Sequence, residues 1–513
     1  MIAPRYAWLV ALVAGVALAL SFPPYGFWPL AVLGVALLTF ATFQQRLRWG
    51  LVTGFVAGLA QFAVLIRWLD VVGVDAWLML TAYSAMWIGG VGVATAAVTR
   101  LRWWPLWVAV IWVAQEALRD RIPLGGWPWG RLAFSQSDAP WLVLSWWGGT
   151  AALTFAVALA GSVLLWAALS GRARPVAASA ALVGVVVAPF ALSLAPMVAT
   201  TTGSSVVAVV QGDVPATGLG FAVAGQRRAV LDNHVSETIR LAERVRSGQV
   251  PQPDLVIWPE NASDLDPYTA RDAAVAISTA ARAIGVPILV GAVVTNPADP
   301  QTVLNVGIVW NPVTGPGERY VKQHPVPFGE YVPFRDVLTR VIGRFDLVPR
   351  DFAAGDAPGV LQMGEVAVGD VICFEVAYDE IVRGTVLAGA QLLAVQTNNA
   401  TYTGGGQSEQ QVAMARIRAV ETGRATVVAA TNGISAQFVP DGTMVGMLPE
   451  QTAGSLVADL PLVDTVSPAT VLGAWPEWVA VVIGVVAFAM GVRRSGNPAR
   501  APAPAARNND AHD

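Results

Sequence analysis

Three residue types are scarce in this chain of 513 residues, and each scarcity closes off a kind of chemistry. One cysteine, Cys373, leaves no partner for an intrachain disulfide and no second thiolate for a zinc pair. The three histidines, His234, His324 and His512, are isolated in the sequence, and no glycine loop has the spacing that cradles nucleotide phosphates. No metal and no other cofactor is therefore expected. Charge is sparse at 13% of residues, the formal net charge is −3, and basic residues form no run or stripe, which excludes nucleic acid as a partner. Lysine is the scarcest of the cations, with Lys322 alone. A drift towards arginine accounts for the shortage but not for where the survivor sits. Lys322 lies in YVKQHPVPFGEY and Cys373 in DVICFE, both within one polar stretch between two apolar regions. An unpaired cysteine is either buried filler or a reactive thiol, and the composition leaves both open.

What is abundant is apolar surface. Hydrophobic residues make up 55% of the chain and there are 20 tryptophans, the profile of a membrane protein. Runs near the roughly 20 residues needed to cross a bilayer predict spans at Tyr6–Leu20, Trp28–Phe43, Leu51–Leu65, Ala76–Val98, Trp104–Leu118, Trp141–Leu169, Pro175–Ala195 and Trp475–Val492. The first two are short and joined by SFPPYGFWP, as in a tilted or broken hairpin. A cleaved signal peptide is the alternative for the first, since Arg5 and Ala17-Leu18-Ala19 flank an apolar run, but further spans follow at once. Arg5, Arg46, Arg48, Arg100, Arg102, Arg172, Arg174, Arg493 and Arg494 fall in alternate connections and mark the cytoplasmic side. Arg67, Arg119, Arg121 and Arg131 fall in the others, so the bias is not absolute. The expected order is a membrane domain over 1–200, an exocytoplasmic domain over 204–464, a last membrane helix over 471–492 and a disordered cytoplasmic tail over 495–513.

The outer region has another rhythm. Short β-rich runs, VVAVVQGD, LVIWPE, PILVGAV, NVGIVWN, VAVGDVICFE, LLAVQTN and TVVAATN, alternate with helical segments at Gln226–Arg246, Tyr268–Ile284, Val376–Ala388 and Gln407–Thr422. This alternation predicts a layered α/β domain with chemistry at strand ends. LVIWPE ends in Glu260, NVGIVWN leads through GERYVK to Lys322, and VAVGDVICFE delivers Cys373 just before a helix. As a set they suggest a nucleophilic thiol with a lowered pKa, a general base in Glu260, and an oxyanion held by Lys322 and the backbone N–H of Phe374. Singly, each has an ordinary reading as a solvated acid, a surface charge or core filler.

WPE, YVKQHPVPFGEY and ICFE, in this order, resemble the Glu-Lys-Cys triad of the nitrilase superfamily. With SFPPYGFWPLA, GGWPWGRLAFSQ, VVQGDVP, VKQHPVPFGEYVPF and ARIRAVETGR, the chain resembles the apolipoprotein N-acyltransferase family from about Tyr6 to Val492. The resemblance implies a multi-span helical membrane domain and a nitrilase-like αββα sandwich outside the bacterial cytoplasmic membrane. It implies a ping-pong reaction in which Cys373 takes an acyl chain from a phospholipid. The N-terminal amine of a diacylglyceryl-cysteine on an apolipoprotein then attacks the thioester. It also implies that Glu330 orients Lys322 and that Glu375 positions the pocket, though for Glu375 an ordinary ion pair is an equal alternative. The chain departs from the family at NNATYTGGG, where an Asn-Asp-Ala-Trp-Phe-Gly stretch is common, which puts loop packing there in question. Phe221, near a position often Trp, is assigned no role.

The segment YVPFRDVLTRVIGRFDLVPRDF after Glu330 mixes apolar residues with arginine, as in a membrane-contacting arm; a lid packed on its own domain is the alternative. Gln115 and Glu116 are costly in lipid, and a pair between Glu116 and Arg119 one turn on is expected. The sequons at Asn261 and Asn399 carry no weight. Two rival functions stand: a membrane-anchored amidase passing the acyl group to water, and a non-catalytic membrane scaffold.

Overall fold

The computed structural model describes residues 4–170, 175–193, 197, 199–215, 225–340, 343 and 350–495. Phe221, Arg172, Arg174 and the tail beyond residue 495 lie outside the described residues. Among the described residues, each expected span overlaps a helix: α1 Pro4–Leu20, α2 Pro29–Thr42, α3 Leu47–Leu65, α4 Val74–Val98, α5 Trp104–Arg119, α6 Leu144–Ser170 and α7 Pro175–Ser193 in the first part of the chain. Among the described residues, α3, α4, α6 and the last helix, α14 Trp475–Ser495, are long and apolar enough to cross a membrane, while α1 and α2 are shorter apolar helices. The chain is a membrane protein.

Two glycine features shape this bundle. Gly50, Gly54 and Gly58 recur every fourth residue on α3, and a Cβ on Gly50 or Gly54 would lie 2.6 Å from the Gly92 carbonyl or 2.4 Å from the Ile88 carbonyl of α4. The stripe lets the two backbones touch, which in lipid is the main source of helix pairing. Gly149, at φ +65°, interrupts α6 near its start, and a Cβ there would lie 2.7 Å from Glu421 Oε1.

The polar region folds as a sandwich of two six-stranded sheets. Its strands are β1 Thr201–Gln211, β2 Leu255–Ile257, β3 Ile288–Thr295, β4 Val303–Asn311, β5 Gly315–Val321, β6 Val360–Met363, β7 Val366–Ile372, β8 Leu392–Thr397, β9 Thr426–Ala430, β10 Ser435–Phe438, β11 Met444–Leu448 and β12 Gly454–Val463. The sheet orders are β12-β1-β2-β3-β4-β5 and β11-β10-β9-β8-β7-β6. β1, β2 and β3 are parallel at the centre of one sheet, as are β7, β8 and β9 in the other. These central strands read as unbroken apolar runs because both faces are covered.

The helices of this region are α8 Gln226–Arg246, α9 Arg271–Ile284, α10 Arg335–Leu338, α11 Asp379–Leu387, α12 Gln407–Thr422 and α13 Pro468–Leu472. The region between the sheets is filled by Val207, Val209, Ile257, Leu289, Val368, Ile372, Leu392 and Ala394. Ile277, Ala281 and Leu241 of α9 and α8 close the outer face of the first sheet. On the second sheet, Val382, Met414 and Ile417 of α11 and α12 belong to a core that continues without a break into Phe62 and Trp112 of the membrane helices and Trp68 and Trp129 of the loops that join them. The layers are therefore α, β, β, α, and then the helical bundle.

The bundle has two distinct ends. At one, the Arg100 guanidinium donates to the carbonyls of Gln44 (3.0 Å) and Gln45 (2.6 Å), and Arg494 reaches the Arg100 carbonyl (3.4 Å). At the other sits the sandwich. There Gln410 of α12 donates to the carbonyls of Leu65 (2.9 Å) and Pro23 (3.1 Å) and accepts from the indoles of Trp129 (2.7 Å) and Trp68 (3.2 Å).

Candidate functional site

Strand ends from both sheets converge between the layers. Glu260 follows β2, Lys322 follows β5, and Cys373 follows β7. Cys373 has φ +56°, a left-handed conformation that costs a non-glycine residue energy and is kept only where the surroundings impose it. It breaks the strand and starts a short 3-10 turn, Cys373–Ala377, with the Phe374 amide at its beginning.

Lys322 is buried, with its ammonium 3.0 Å from Glu260 Oε1 and 3.0 Å from Glu330. Asn305, the third residue of β4, donates through Nδ2 to Glu260 (2.7 Å) and to Glu330 (2.9 Å). The backbone N–H of Asn398 donates to Glu260 Oε2 at 2.9 Å, and that of Val326 to Glu330 Oε2 at 2.6 Å. Burial works against the charge on Lys322, but Glu260 and then Glu330 outweigh it and hold the ammonium protonated well above the ordinary lysine range. Thr397 Oγ1 lies 3.4 Å from Cys373 Sγ.

The thiol departs from expectation. Burial, reinforced by the Glu260 carboxylate and opposed by Lys322, pushes Cys373 up to about 12 instead of down. Burial is the larger cause, and Lys322, which also faces two carboxylates, does not offset it. A thiol so shifted would need a base before it could attack a carbonyl.

Glu375 makes no salt bridge with Lys322 or with any other cation among the described residues. Its two oxygens accept the backbone N–H groups of Gln323 (2.7 Å), His324 (3.1 Å) and Ile372 (2.8 Å) and the hydroxyl of Tyr320 (3.0 Å). One carboxylate thus ties the segment carrying Lys322 to the turn carrying Cys373. Burial, against the pull of Lys322 and these donors, pushes Glu375 up to about 7.

Next to the thiol, Phe374 stacks on Trp129 (5.4 Å between ring centres, 5° between planes) and Trp127 (5.3 Å, 22°), both from the GGWPWG loop of the bundle. Tyr402 packs edge-on to Trp68 at 4.9 Å, while Gly405 and Gly406 leave room for Trp68 and Pro24. In this chain the NNATYTGGG loop is thus packed against the bundle. His324 lies against Tyr378 at 4.0 Å and is pushed down to about 4 by burial and then Lys322, so it stands neutral. Asn399 is buried and donates to Gln407 and Gln411, which leaves no room for a glycan.

Sequence reasoning missed Asn305, Asn398, Tyr320 and Thr397. The one available signal was a polar residue within or closing an otherwise apolar strand, as Asn305 and Thr397 are. It also mispaired Glu116. That carboxylate accepts from the Leu132 N–H (2.8 Å) and the Thr154 hydroxyl (2.7 Å) and faces Arg131 at 3.7 Å, whereas Arg119 is nearest Asp120, at 3.9 Å. Of the proposed arm, Phe334 and Val337 are exposed and Arg335 pairs with Asp351; residues 341–342 and 344–349 lie outside the described residues.

The apolipoprotein N-acyltransferase N-terminal domain matches residues 14–163, and the carbon-nitrogen hydrolase family matches residues 207–468. An apolipoprotein N-acyltransferase from Mycolicibacterium smegmatis is 40% identical, over 95% of this chain and 85% of that protein. One from Azotobacter vinelandii is 29% identical, over 96% and 97%. A solved amidase from Nesterenkonia sp. is 20% identical, covers 52% of this chain and 93% of its own, and superposes with a TM-score of 0.36. Matched from bundle to sandwich by relatives of that name, the chain belongs to the apolipoprotein N-acyltransferase family.

Proposed function

We propose that this protein moves an acyl chain from a phospholipid to the N-terminal amine of the diacylglyceryl-cysteine of apolipoproteins, through a thioester on Cys373. The observation that carries this reading is the stacking of Phe374, the residue after the thiol, on Trp127 and Trp129 of the membrane bundle. A nucleophile built against the membrane domain is suited to an acyl donor that arrives from lipid.

Glu260 takes the proton of the Cys373 thiol as sulfur attacks the ester carbonyl. The oxyanion of the tetrahedral intermediate is met by the Lys322 ammonium, two of whose three donors are held by Glu260 and Glu330, and by the Phe374 N–H. Glu260 returns the proton to the departing glycerol oxygen, which leaves a lysophospholipid and the thioester. In the second half, Glu260 takes a proton from the incoming amine. The second tetrahedral intermediate then expels the sulfur, which recovers its proton and leaves an amide. Glu330 fixes the place of Lys322, and Glu375 fixes the distance between the Lys322 and Cys373 segments.

The sandwich is assigned to the outer face of the bacterial cytoplasmic membrane. In support, Arg100 and Arg494 gather at the end of the bundle opposite the sandwich. The divisions 1–200, 204–464, 471–492 and 495–513 follow from the same reading, as does a membrane-contacting role for the segment around Phe334.

Intact mass spectrometry after incubation with phospholipid tests the mechanism. Wild type is expected to gain a hydroxylamine-labile acyl mass that Cys373→Ala does not. An acyl mass on both, or on neither with phospholipid bound, would overturn the thioester. Release of free fatty acid with no transfer to a diacylglyceryl peptide would instead favour an amidase-like use of water.

A further inference from the structure

One buried acid takes no part in this scheme. Asp370 of β7 faces the space between the sheets, three residues before Cys373, and is fully buried. Across from it on β4 stands Gly307, where a Cβ would lie 1.9 Å from Asp370 Oδ2 and 2.8 Å from Gln396 Oε1 of β8. Glycine at 307 is what admits the carboxyl group. Neither the Asp370 oxygens nor Gln396 Oε1 has a side-chain hydrogen-bond partner among the described residues, and the Val371 amide favours the charge on Asp370 less than any other influence opposes it. Buried acceptors of this kind are almost always satisfied.

Rotating the Gln396 amide does not help. Its Nε2 donates to the Trp258 carbonyl at 2.5 Å, and exchanging N for O would set two oxygens against each other there. Gln396 Oε1 stays an acceptor beside the same face of Gly307 as Asp370 Oδ2, and among the protein groups there the donor that can lie between two acceptors is a proton on the carboxyl. The ionisable groups around the acid agree. Burial, then Glu375 and Glu260, disfavour its charge, and Tyr320 offers no cation. Lys322 is taken up by Glu260 and Glu330.

We propose that Asp370 is a carboxylic acid that keeps its proton through the reaction and positions Glu260, by donating to Gln396, which in turn holds the Trp258 carbonyl two residues ahead of that base. The catalytic consequence rests on Glu260 being the base, as proposed above; the protonation itself does not.

Two measurements test it. Infrared spectra of the purified protein at neutral pH, wild type minus Asp370→Asn, are expected to contain the carbonyl stretch of a carboxylic acid. Carboxylate bands in its place would overturn the proposal whatever the activity. In transfer assays Asp370→Leu and Gln396→Leu are each expected to lose about tenfold in kcat, the worth of one hydrogen bond expressed as rate, with KM little changed. Their double variant should lose no more than either alone, because both break one chain of contacts. Asp370→Asn, neutral and still a donor, should restore most of the rate with the acid limb of the pH–rate profile in place. If Asp370 were ionised, removing its charge would move that limb to lower pH, and losses that multiply in the double variant would mean that it does not act through Gln396. Should the leucine variants fail to fold, the infrared comparison and the Asp370→Asn profile still decide. Failure of Cys373→Ala to abolish the thioester would remove the mechanism while leaving the infrared result standing.

Discussion

At the scale of single residues, the acids of the site are distinguished by what surrounds them, not by their identity. Glu260 and Glu330 share the Lys322 ammonium, whereas Glu375 holds backbone N–H groups with no cation in contact. The difference has a pH signature. Glu375 is raised from 4.5 to about 7 by burial, so its proton is held more tightly in the folded state than in the unfolded one. Such a group contributes stability that is fully present below its unfolded value and is lost as pH rises through the folded one. Relative to Glu375→Gln, which does not titrate, wild type should lose on the order of 3 kcal/mol of unfolding free energy between pH 4.5 and 7, then level off. Thermal unfolding of both proteins across that range is the check; parallel curves would show that the side chain is solvated. Glu260, Lys322 and Cys373 were legible because charge is rare in this sequence, Lys and Cys occur once each, and all three follow apolar runs. Asn305 and Asp370 were hidden inside such runs, where the choice between strand filler and site depends on which face meets the other sheet.

At the scale of elements, span length and strand alternation carried most of the fold, because both are set by periods that the sequence displays directly. Edge strands were less legible. β5 reads GPGERYV with exposure along most of its length, and β10 to β12 follow one another across short turns with no flanking helix to delimit them. The helix expected over Val376–Ala388 proved to be a 3-10 turn and then α11, since the contorted Cys373 cannot run straight into an α-helix. The glycine stripe of α3 was visible but unread, and it makes its own prediction. A Cβ on Gly92 would lie 2.2 Å from the Gly50 carbonyl, a contact with backbone that no side-chain rotation relieves. Gly92→Val should therefore force α3 and α4 apart and lower the midpoint of thermal unfolding in detergent, by an overpacking cost of about 1–3 kcal/mol or more. Gly90 on the same helix has nothing within 4 Å of its would-be Cβ, so Gly90→Ala should be tolerated. Equal damage from both would mean that close packing is not what the stripe supplies.

At the scale of the whole molecule, two of the arginines that looked like exceptions to the charge bias, Arg121 and Arg131, turn out to be structural. Arg131 is buried between bundle and sandwich, 2.6 Å from Glu477 at the head of α14, 2.9 Å from Asp379 of α11, 3.0 Å from Asp120 and 3.7 Å from Glu116. Arg121 joins Glu477 at 2.6 Å, and Arg418 of α12 joins Asp379 at 2.7 Å. From the sequence these partners could not be matched, since they come from distant segments and only the fold brings them together. Besides the aromatic contacts, this ionic cluster and the Gln410 contacts with Trp68 and Trp129 fasten the sandwich to the bundle at separate places. Arg131→Met would leave its acids facing one another in a buried place, a loss worth about 3–5 kcal/mol when one partner of a buried pair is removed. The Gln410 fastening would remain, so the expected result is a loosened joint and not an unfolded protein. Since Phe374 belongs to the sandwich and Trp127 and Trp129 to the bundle, loosening should disturb the meeting of lipid and thiol more than the Glu260–Lys322 geometry. Arg131→Met should then raise KM for phospholipid more than it lowers kcat, and protease should cut faster between the last strand and α14. A kcat loss at constant KM would place the damage inside the sandwich and refute the view of Arg131 as the fastening between the two domains.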